Sequence, residues 1–315
     1  MNPLVSIIIP TYSRPKNLSR AIDSVLNQTY NPIEIIVVDD NGIGTDFQIE
    51  TEHYLKPYIE KNRILYVKHE INKNGSAARN TGVKVAKGKI IGLMDDDDEF
   101  LPTKIEKQVM ALEDTHKNDS NYAGSYCNLL LICDKIRTKR KINIPTENLV
   151  EELLLGKSWF NSSTLLFYKD AYNSINGFDE RFLRHQDWEF TIRFLSKYKM
   201  VLAEPADILV KKYKGNNLGN VIAKNPTKYI DIKTFFLKEM KPYIDVLPQS
   251  SEIYRYQWLL LARSLFKTGF IKEGLFYTKR ARTYRILQIS EICQIIFEYL
   301  KYCITKMINM INYNK

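Results

Sequence analysis

The apolar run Ile90-Ile91-Gly92-Leu93-Met94 leads directly into four aspartates, Asp95-Asp96-Asp97-Asp98. Few arrangements suit both halves. The apolar half asks for cover on both faces, as a central strand of a parallel sheet has. The acidic half repels itself and needs solvent or a counter-ion. A strand leaving the carboxyl edge of an open α/β sheet meets both demands, and such sheets bind ligands at that edge. A hard divalent cation, with a diphosphate completing its shell, would relieve the repulsion. A plain acidic surface turn is the alternative.

The segments upstream fit the same sheet. Residues 4–9, 34–38 and 64–67 read as strands, all rich in β-branched residues and nearly continuous in apolarity. Pro15 opens a helix with Leu18, Ala21, Ile22, Val25 and Leu26 on one face, and a second helix runs from 76 to 86 before Gly88. Pro102 starts another, with Ile105, Val109 and Leu112 inward. Alternating strands and helices of this kind predict a mostly parallel sheet with crossover helices. From 122 to 215 the pattern is mixed. An antiparallel hairpin over 122–132 and 135–144 turns at Asp134-Lys135, followed by a helix at 146–155, a strand at 164–168 and a helix at 186–197.

The turn-rich Gly215-Asn216-Asn217-Leu218-Gly219-Asn220 marks a boundary. Residues 1–215 form the expected core domain, divided into 1–118 and 119–215, and 216–315 a helical C-terminal region. Residues 258–268 and 272–284 read as one tetratricopeptide-style helix pair. The last helix carries a stripe from Ile289 through Ile292, Ile296, Leu300, Ile304 and Met307 to Ile311. Either this stripe caps the core or it lies in a membrane interface. The net charge of +10 is concentrated here: residues 216–315 hold 16 Lys and Arg against 7 Asp and Glu. An anionic surface or acidic partner suits that excess. Nucleic acid does not, because no recognition motif accompanies it.

Composition is that of a soluble globular protein, 44% apolar and 26% charged. Cys127, Cys133, Cys293 and Cys303 form no CxxC pair, which argues for reduced thiols and against structural zinc. The opening residues lack a basic leader, and no uncharged apolar stretch reaches the ~20 residues of a membrane span. A cytoplasmic protein, peripheral on the inner membrane face, is expected.

Four ordered segments carry a resemblance. They are Val5-Ser6-Ile7-Ile8-Ile9-Pro10-Thr11-Tyr12-Ser13-Arg14-Pro15, Glu34-Ile35-Ile36-Val37-Val38-Asp39-Asp40, Gly75-Ser76-Ala77-Ala78-Arg79-Asn80-Thr81-Gly82 and Leu93-Met94 with the acidic run to Pro102. Together they resemble the family 2 glycosyltransferases, whose nucleotide domain has the GT-A fold. The resemblance spans residues 4 to about 214 of the chain. It implies an inverting transfer from a UDP-sugar donor to a glycan or lipid-linked saccharide acceptor in bacterial surface polysaccharide or capsule synthesis, with Mn²⁺ or Mg²⁺ as cofactor.

Residue by residue, Pro10, Thr11 and Tyr12 end the first strand beside the base. Arg14 joins the nucleotide contacts, and Asp40 accepts from a uracil imide, while Asp39 suits a cap. Gly75 allows close approach, and Arg79 reaches uracil or phosphate, or else pairs with the acidic loop. Asp97 is the direct metal ligand, with Asp95 and Asp96 serving ribose hydroxyls and the metal's water shell. Asp98 and Glu99 cap the following helix or support the loop.

In Gly177-Phe178-Asp179-Glu180-Arg181-Phe182-Leu183-Arg184-His185-Gln186-Asp187-Trp188-Glu189-Phe190, Asp187 matches the family's general base. A helix N-cap is its other use. Trp159, Phe160 and Trp188 suit sugar faces or the core. Many relatives carry a histidine after the final core strand. This chain reads Lys211-Lys212-Tyr213-Lys214 there, and Lys214 is the candidate phosphate contact. A pyrophosphorylase of related fold is disfavoured by the glycine-free Pro10–Arg14 turn. A catalytically silent sugar-nucleotide-binding or scaffold protein is the alternative from another class.

Overall fold

The computed structural model describes residues 2–133, 136–140, 149–158, 160–213 and 225–313. Trp159, Lys214, the Asp134-Lys135 turn and the turn-rich boundary segment lie outside the described residues. The chain separates into two compact units, 1–153 with 158–214, and 154–157 with 215–315.

The first unit runs β1 (Val5–Thr11), α1 (Leu18–Leu26), β2 (Ile33–Asp39), α2 (Asp46–Glu60), β3 (Leu65–Lys68), α3 (Gly75–Val85), β4 (Ile90–Leu93), β5 (Asp98–Phe100) and α4 (Lys104–Asn118). It continues with β6 (Tyr122–Tyr126), β7 (Asn128–Cys133), β8 (Ile136–Arg140), α5 (Leu149–Leu154), β9 (Leu165–Tyr168), α6 (Lys169–Ser174), α7 (Gln186–Leu195), β10 (Lys199–Leu202) and β11 (Ile208–Tyr213). Seven strands form one sheet in the order β10-β6-β9-β4-β1-β2-β3. β4, β1, β2 and β3 are mutually parallel, and β9 alone runs antiparallel to both its neighbours. This is the expected GT-A arrangement.

Burial explains the sheet. Ile7, Ile8, Ile9, Ile36, Val37, Val38, Ile90, Ile91 and Leu93 are wholly buried, as strands covered on both faces must be. β3 is the exception, with Leu65 45% exposed at the sheet edge. Helix α3 packs on β1 and β2, and Gly82 makes that approach possible. A Cβ there would stand 2.3 Å from Ile8 Cγ2. Register brings the functional ends level: Thr11 pairs with Asp39, and Asp40 N donates to Thr11 O at 3.0 Å.

Three local readings need correction. Residues 122–132 are not one strand: the chain changes sheets at buried Cys127. β6 joins the large sheet, whereas β7 joins a four-stranded sheet ordered β5-β11-β7-β8 and pairs antiparallel with β8. Pro102 does not start α4, which begins at Lys104 after two turn residues. The acidic run, finally, does not stay in a loop. After a turn closed by Asp98 N to Asp95 O at 3.1 Å, Asp98 begins β5, opposite Lys212 in β11. A buried strand position, not a helix cap, is therefore Asp98's place.

In the second unit lie α8 (Pro226–Glu239), α9 (Lys241–Ile244), α10 (Ser250–Lys267), α11 (Ile271–Arg282) and α12 (Ile289–Tyr313). α10 and α11 pack through Leu261, Ala262, Leu265 and Ala281, with Trp258 stacked on Tyr277 at 5.4 Å. Arg255 of α10 pairs with Glu291 of α12. Along α12, Ile289, Ile292, Ile296, Leu300, Ile304 and Met307 are exposed. Among the described residues no helix is long and apolar enough to cross a membrane.

Candidate functional site

Each aspartate of the acidic run has its own surroundings. Asp95 accepts from Arg79 Nη2 at 2.9 Å on Oδ1, and from Lys212 Nζ and Asn161 Nδ2, both at 3.2 Å, on Oδ2. Asp96 is wholly buried, held by Thr11 Oγ1 at 2.8 Å and Arg14 Nη2 at 2.8 Å. Asp97 pairs with Arg14 Nη1, and its carbonyl accepts from Arg20 Nη2 at 2.7 Å. Asp98, also wholly buried, accepts from Ser163 Oγ at 2.5 Å and lies 3.4 Å from Lys212 Nζ. Glu99 points to Lys211 and Tyr213, both at 2.7 Å, and takes no part in the cluster.

Asp187 joins this group through a segment that carried no signal in the sequence. Asn161-Ser162-Ser163-Thr164 closes as a capping box ahead of β9, with Asn161 as the N-cap. Its three leading side chains then each meet a carboxylate: Asn161 donates to Asp95, Ser162 to Asp187 and Ser163 to Asp98. Ser163 Oγ also accepts from Asp95 N at 2.9 Å. Asp187 itself sits in the first turn of α7. The N-cap position belongs to His185, in a left-handed conformation with φ 59°, and the ring of His185 lies against Trp188.

Helix α3 supplies the other wall. Asn74, at φ 83°, caps it by accepting from Ser76 N at 2.9 Å and Ala77 N at 3.3 Å. Arg79 bridges Asp95 to Gln186, whose Oε1 it meets at 3.0 Å. Gly75 is needed for this bridge, since a Cβ there would fall 2.9 Å from Gln186 Oε1 and 3.0 Å from Arg79 Nη1. Asp40 is buried beneath the preceding loop. It accepts from Lys73 N at 2.8 Å, and from Asn74 N and Asn72 Nδ2 at 2.9 Å, and lies 2.7 Å from His69 Nδ1. A base imide would have to share a carboxylate that already fixes loop 72–74. Pro10 lies in the β1–β2 ladder opposite Val38, and the Tyr12 ring is 53% exposed at the rim.

The electrostatics follow from this packing. Burial alone would raise Asp95, but Lys212 and then Arg79 overcome it and hold the carboxyl well below the ordinary range. Burial dominates at Asp96, pushing it up to about 7 against the pull of Arg14. It does the same at Asp98, also up to about 7, against Lys212. Asp97 is raised by burial despite Arg14. Asp187 is raised too, by burial first, with Arg79 and the Ser162 hydroxyl opposing. For Lys212, burial favours the neutral amine, yet Asp95 and Asp98 outweigh it and hold the ammonium above the usual lysine range.

These residues fit a divalent cation. One oxygen from each of Asp95, Asp97 and Asp98 falls within 4.8 Å of the other two. Asp98 Oδ1 is moreover buried with no hydrogen-bond partner among the described residues, a costly state for a carboxylate that a hard cation would relieve. Of the sequence candidates, Thr11, Arg14, Arg79, Asp95, Asp96, Asp97 and Asp187 thus share one connected network. Asp98, Lys212 and Asn161-Ser162-Ser163 are additions. Lys212 was detectable only as one of three nearby lysines. Strand alternation selects Lys212 of β11 to face Asp98.

A family model described as glycosyl transferase family 2 matches residues 6–160. An uncharacterised glycosyltransferase of Methanocaldococcus jannaschii is 32% identical over 70% of this chain and 74% of its own. The O-antigen biosynthesis glycosyltransferase WbnJ of Escherichia coli is 27% identical over 75% of this chain and 88% of its own. Among solved structures, S. aureus TarS 1-349 in complex with UDP-GlcNAc superposes with a TM-score of 0.57 at 14% identity, covering 95% of this chain and 91% of that one. That likeness concerns the fold. Motifs, sheet and sequence relatives agree, and the chain belongs to glycosyl transferase family 2.

Proposed function

We propose that the chain is a metal-dependent, inverting glycosyltransferase that moves a sugar from a UDP-sugar to a carbohydrate acceptor, lipid-linked in the cell, in bacterial surface polysaccharide synthesis. The observation that carries this reading is the turn at 161–163. It ties the cation-competent carboxylates Asp95 and Asp98 and the separate carboxylate Asp187 into one network. An inverting transfer needs both: charge neutralisation at the leaving group, and a base on the opposite face of the sugar.

In this reading Asp95, Asp97 and Asp98 would hold Mn²⁺ or Mg²⁺, which when bound neutralises the departing diphosphate. Asp187 accepts the proton of the incoming acceptor hydroxyl. Its raised pKa makes it a stronger base than an exposed aspartate, and Ser162 keeps its second oxygen oriented. Arg79 and Arg14 border the diphosphate. Thr11 and Asp96 brace the ribose side, and Pro10, Tyr12, Asp40 and Gly75 surround the base. Lys214 remains a candidate phosphate contact.

The UDP-GlcNAc complex of TarS supports a uridine donor, and the O-antigen role of WbnJ supports a saccharide acceptor. The exposed stripe of α12 and the basic excess of 216–315 support peripheral attachment to an anionic membrane. UDP release from a panel of UDP-sugars, with GDP-mannose alongside and with and without EDTA, tests the function. Turnover with one UDP-sugar that EDTA abolishes is expected. Binding without turnover of any donor, water or saccharide accepting, would favour the silent sugar-nucleotide-binding alternative.

A further inference from the structure

We propose that Lys212 and the divalent cation compete for Asp95 and Asp98, and that the displaced ammonium then serves the donor's diphosphate. The proposal rests on the reading of Asp95, Asp97 and Asp98 as the metal site. Lys212 Nζ stands 3.2 Å from Asp95 Oδ2 and 3.4 Å from Asp98 Oδ2, so it occupies two of the three carboxylates a cation would need. An ammonium and a divalent ion repel each other strongly at contact distance in a low-dielectric site. Sharing these two carboxylates would set the two positive charges side by side, so each weakens the other's hold on Asp95 and Asp98.

The geometry says which group gives way. β11 is an interior strand of its sheet, with Lys212 opposite Asp98 on one side and Leu131 on the other, so the backbone is fixed. The four-carbon stem is not, and an ammonium is a point charge that reorients more readily than a forked guanidinium. Arg79 has a second anchor in Gln186, and Arg14 a second anchor in Asp96, which lies outside the metal-competent trio. The contacts of Lys212 are to Asp95 and Asp98 themselves.

Charge counting gives the sequence of events. In their ionised forms, Asp95, Asp96, Asp97, Asp98 and Asp187 face Arg14, Arg79 and Lys212, leaving two negative charges in excess. A divalent ion cancels that excess. A donor diphosphate adds further negative charge, which a released Lys212 can meet from the edge of the cluster.

Manganese binding to the full-length protein, followed by electron paramagnetic resonance at pH 8, tests the competition. UDP calorimetry at saturating Mn²⁺ tests the second role. Lys212→Met should bind Mn²⁺ alone roughly 10-fold tighter than wild type and bind UDP roughly 10-fold weaker, the scale of one charge-assisted hydrogen bond. A purely structural lysine would not move the two affinities in opposite directions. Lys212→Gln, which keeps a polar head, is held to the same criteria if Lys212→Met does not fold. Equal or weaker Mn²⁺ affinity in a folded variant overturns the competition, and unchanged UDP affinity overturns the second role. No Mn²⁺ binding by either protein, with or without UDP, overturns the metal reading and this proposal with it.

Discussion

Asp187→Asn separates the chemistry from donor binding. The substitution keeps the shape of the side chain and leaves an oxygen to accept from Ser162 Oγ, so α7 and the 161–163 turn keep their connection. What disappears is the ability to take a proton. Loss of a general base costs ~10²–10⁴-fold in rate, or about 3–5 kcal/mol at 1.36 kcal/mol per decade. Donor affinity has no such dependence, because Asp95 and Asp98 are held by Asn161 and Ser163, which the change leaves alone. Turnover measured as UDP release should therefore fall by at least ~100-fold. UDP affinity in the presence of Mn²⁺, by calorimetry, should stay within a few-fold of wild type. A variant that keeps more than about a tenth of wild-type turnover would refute the assignment. UDP affinity collapsing in step with turnover would show instead that Asp187 holds the site together.

Four further outcomes follow from the same geometry. Because Asp187 must be ionised to act and burial raises its pKa, activity should fall as pH drops through a limb above the ordinary aspartate value of about 3.9, and Ser162→Ala, which removes a hydrogen bond to the ionised form, should move that limb to higher pH in a kcat/KM profile. Asp97→Asn should weaken UDP binding measured with Mn²⁺, and EDTA should weaken it in wild type, both read by calorimetry. Gly82→Ala should lower the urea midpoint by the equivalent of ~1–3 kcal/mol, since the added methyl would meet Ile8 Cγ2 at 2.3 Å. Ile296→Asp with Leu300→Asp, both on the exposed stripe of α12, should abolish salt-sensitive co-sedimentation with anionic vesicles while leaving thermal stability near wild type.

Where a strand is an apolar run whose only stable home is covered on both faces, as β1, β2, β4 and β9 are, it was readable, whereas β10, short and only partly buried, was not. Helix α2 was not, since it breaks the usual signals: it has little apolar periodicity and contains Pro57. The division of residues 122–133 between two sheets was hidden too, because no proline or turn cluster marks the change of partner at Cys127, and Ser125 and Asn128 read as ordinary polar positions of one strand. At the site, the carboxylates announced themselves by their spacing. Their supports did not. Asn161, Ser162 and Ser163 look like ordinary turn residues ahead of a strand, and only the meeting of three distant segments gives each hydroxyl or amide its carboxylate. Lys212 had two lysine neighbours in sequence, and the choice among them depends on the antiparallel register of β11 with β5.

The 161–163 turn also limits how enzymes of this design can be recombined. Its three consecutive side chains fix the spacing between the acidic cluster and Asp187, and the capping box formed by Asn161 and Thr164 leaves that spacing little slack. Swapping acceptor-side segments between relatives should thus be tolerated when the junctions fall before residue 160 or beyond the end of β9. A graft that lengthens or shortens this turn by one residue would keep every acidic side chain and still shift the base away from the donor. Chimeras that bind nucleotide normally yet turn over slowly would be the mark of a misplaced junction.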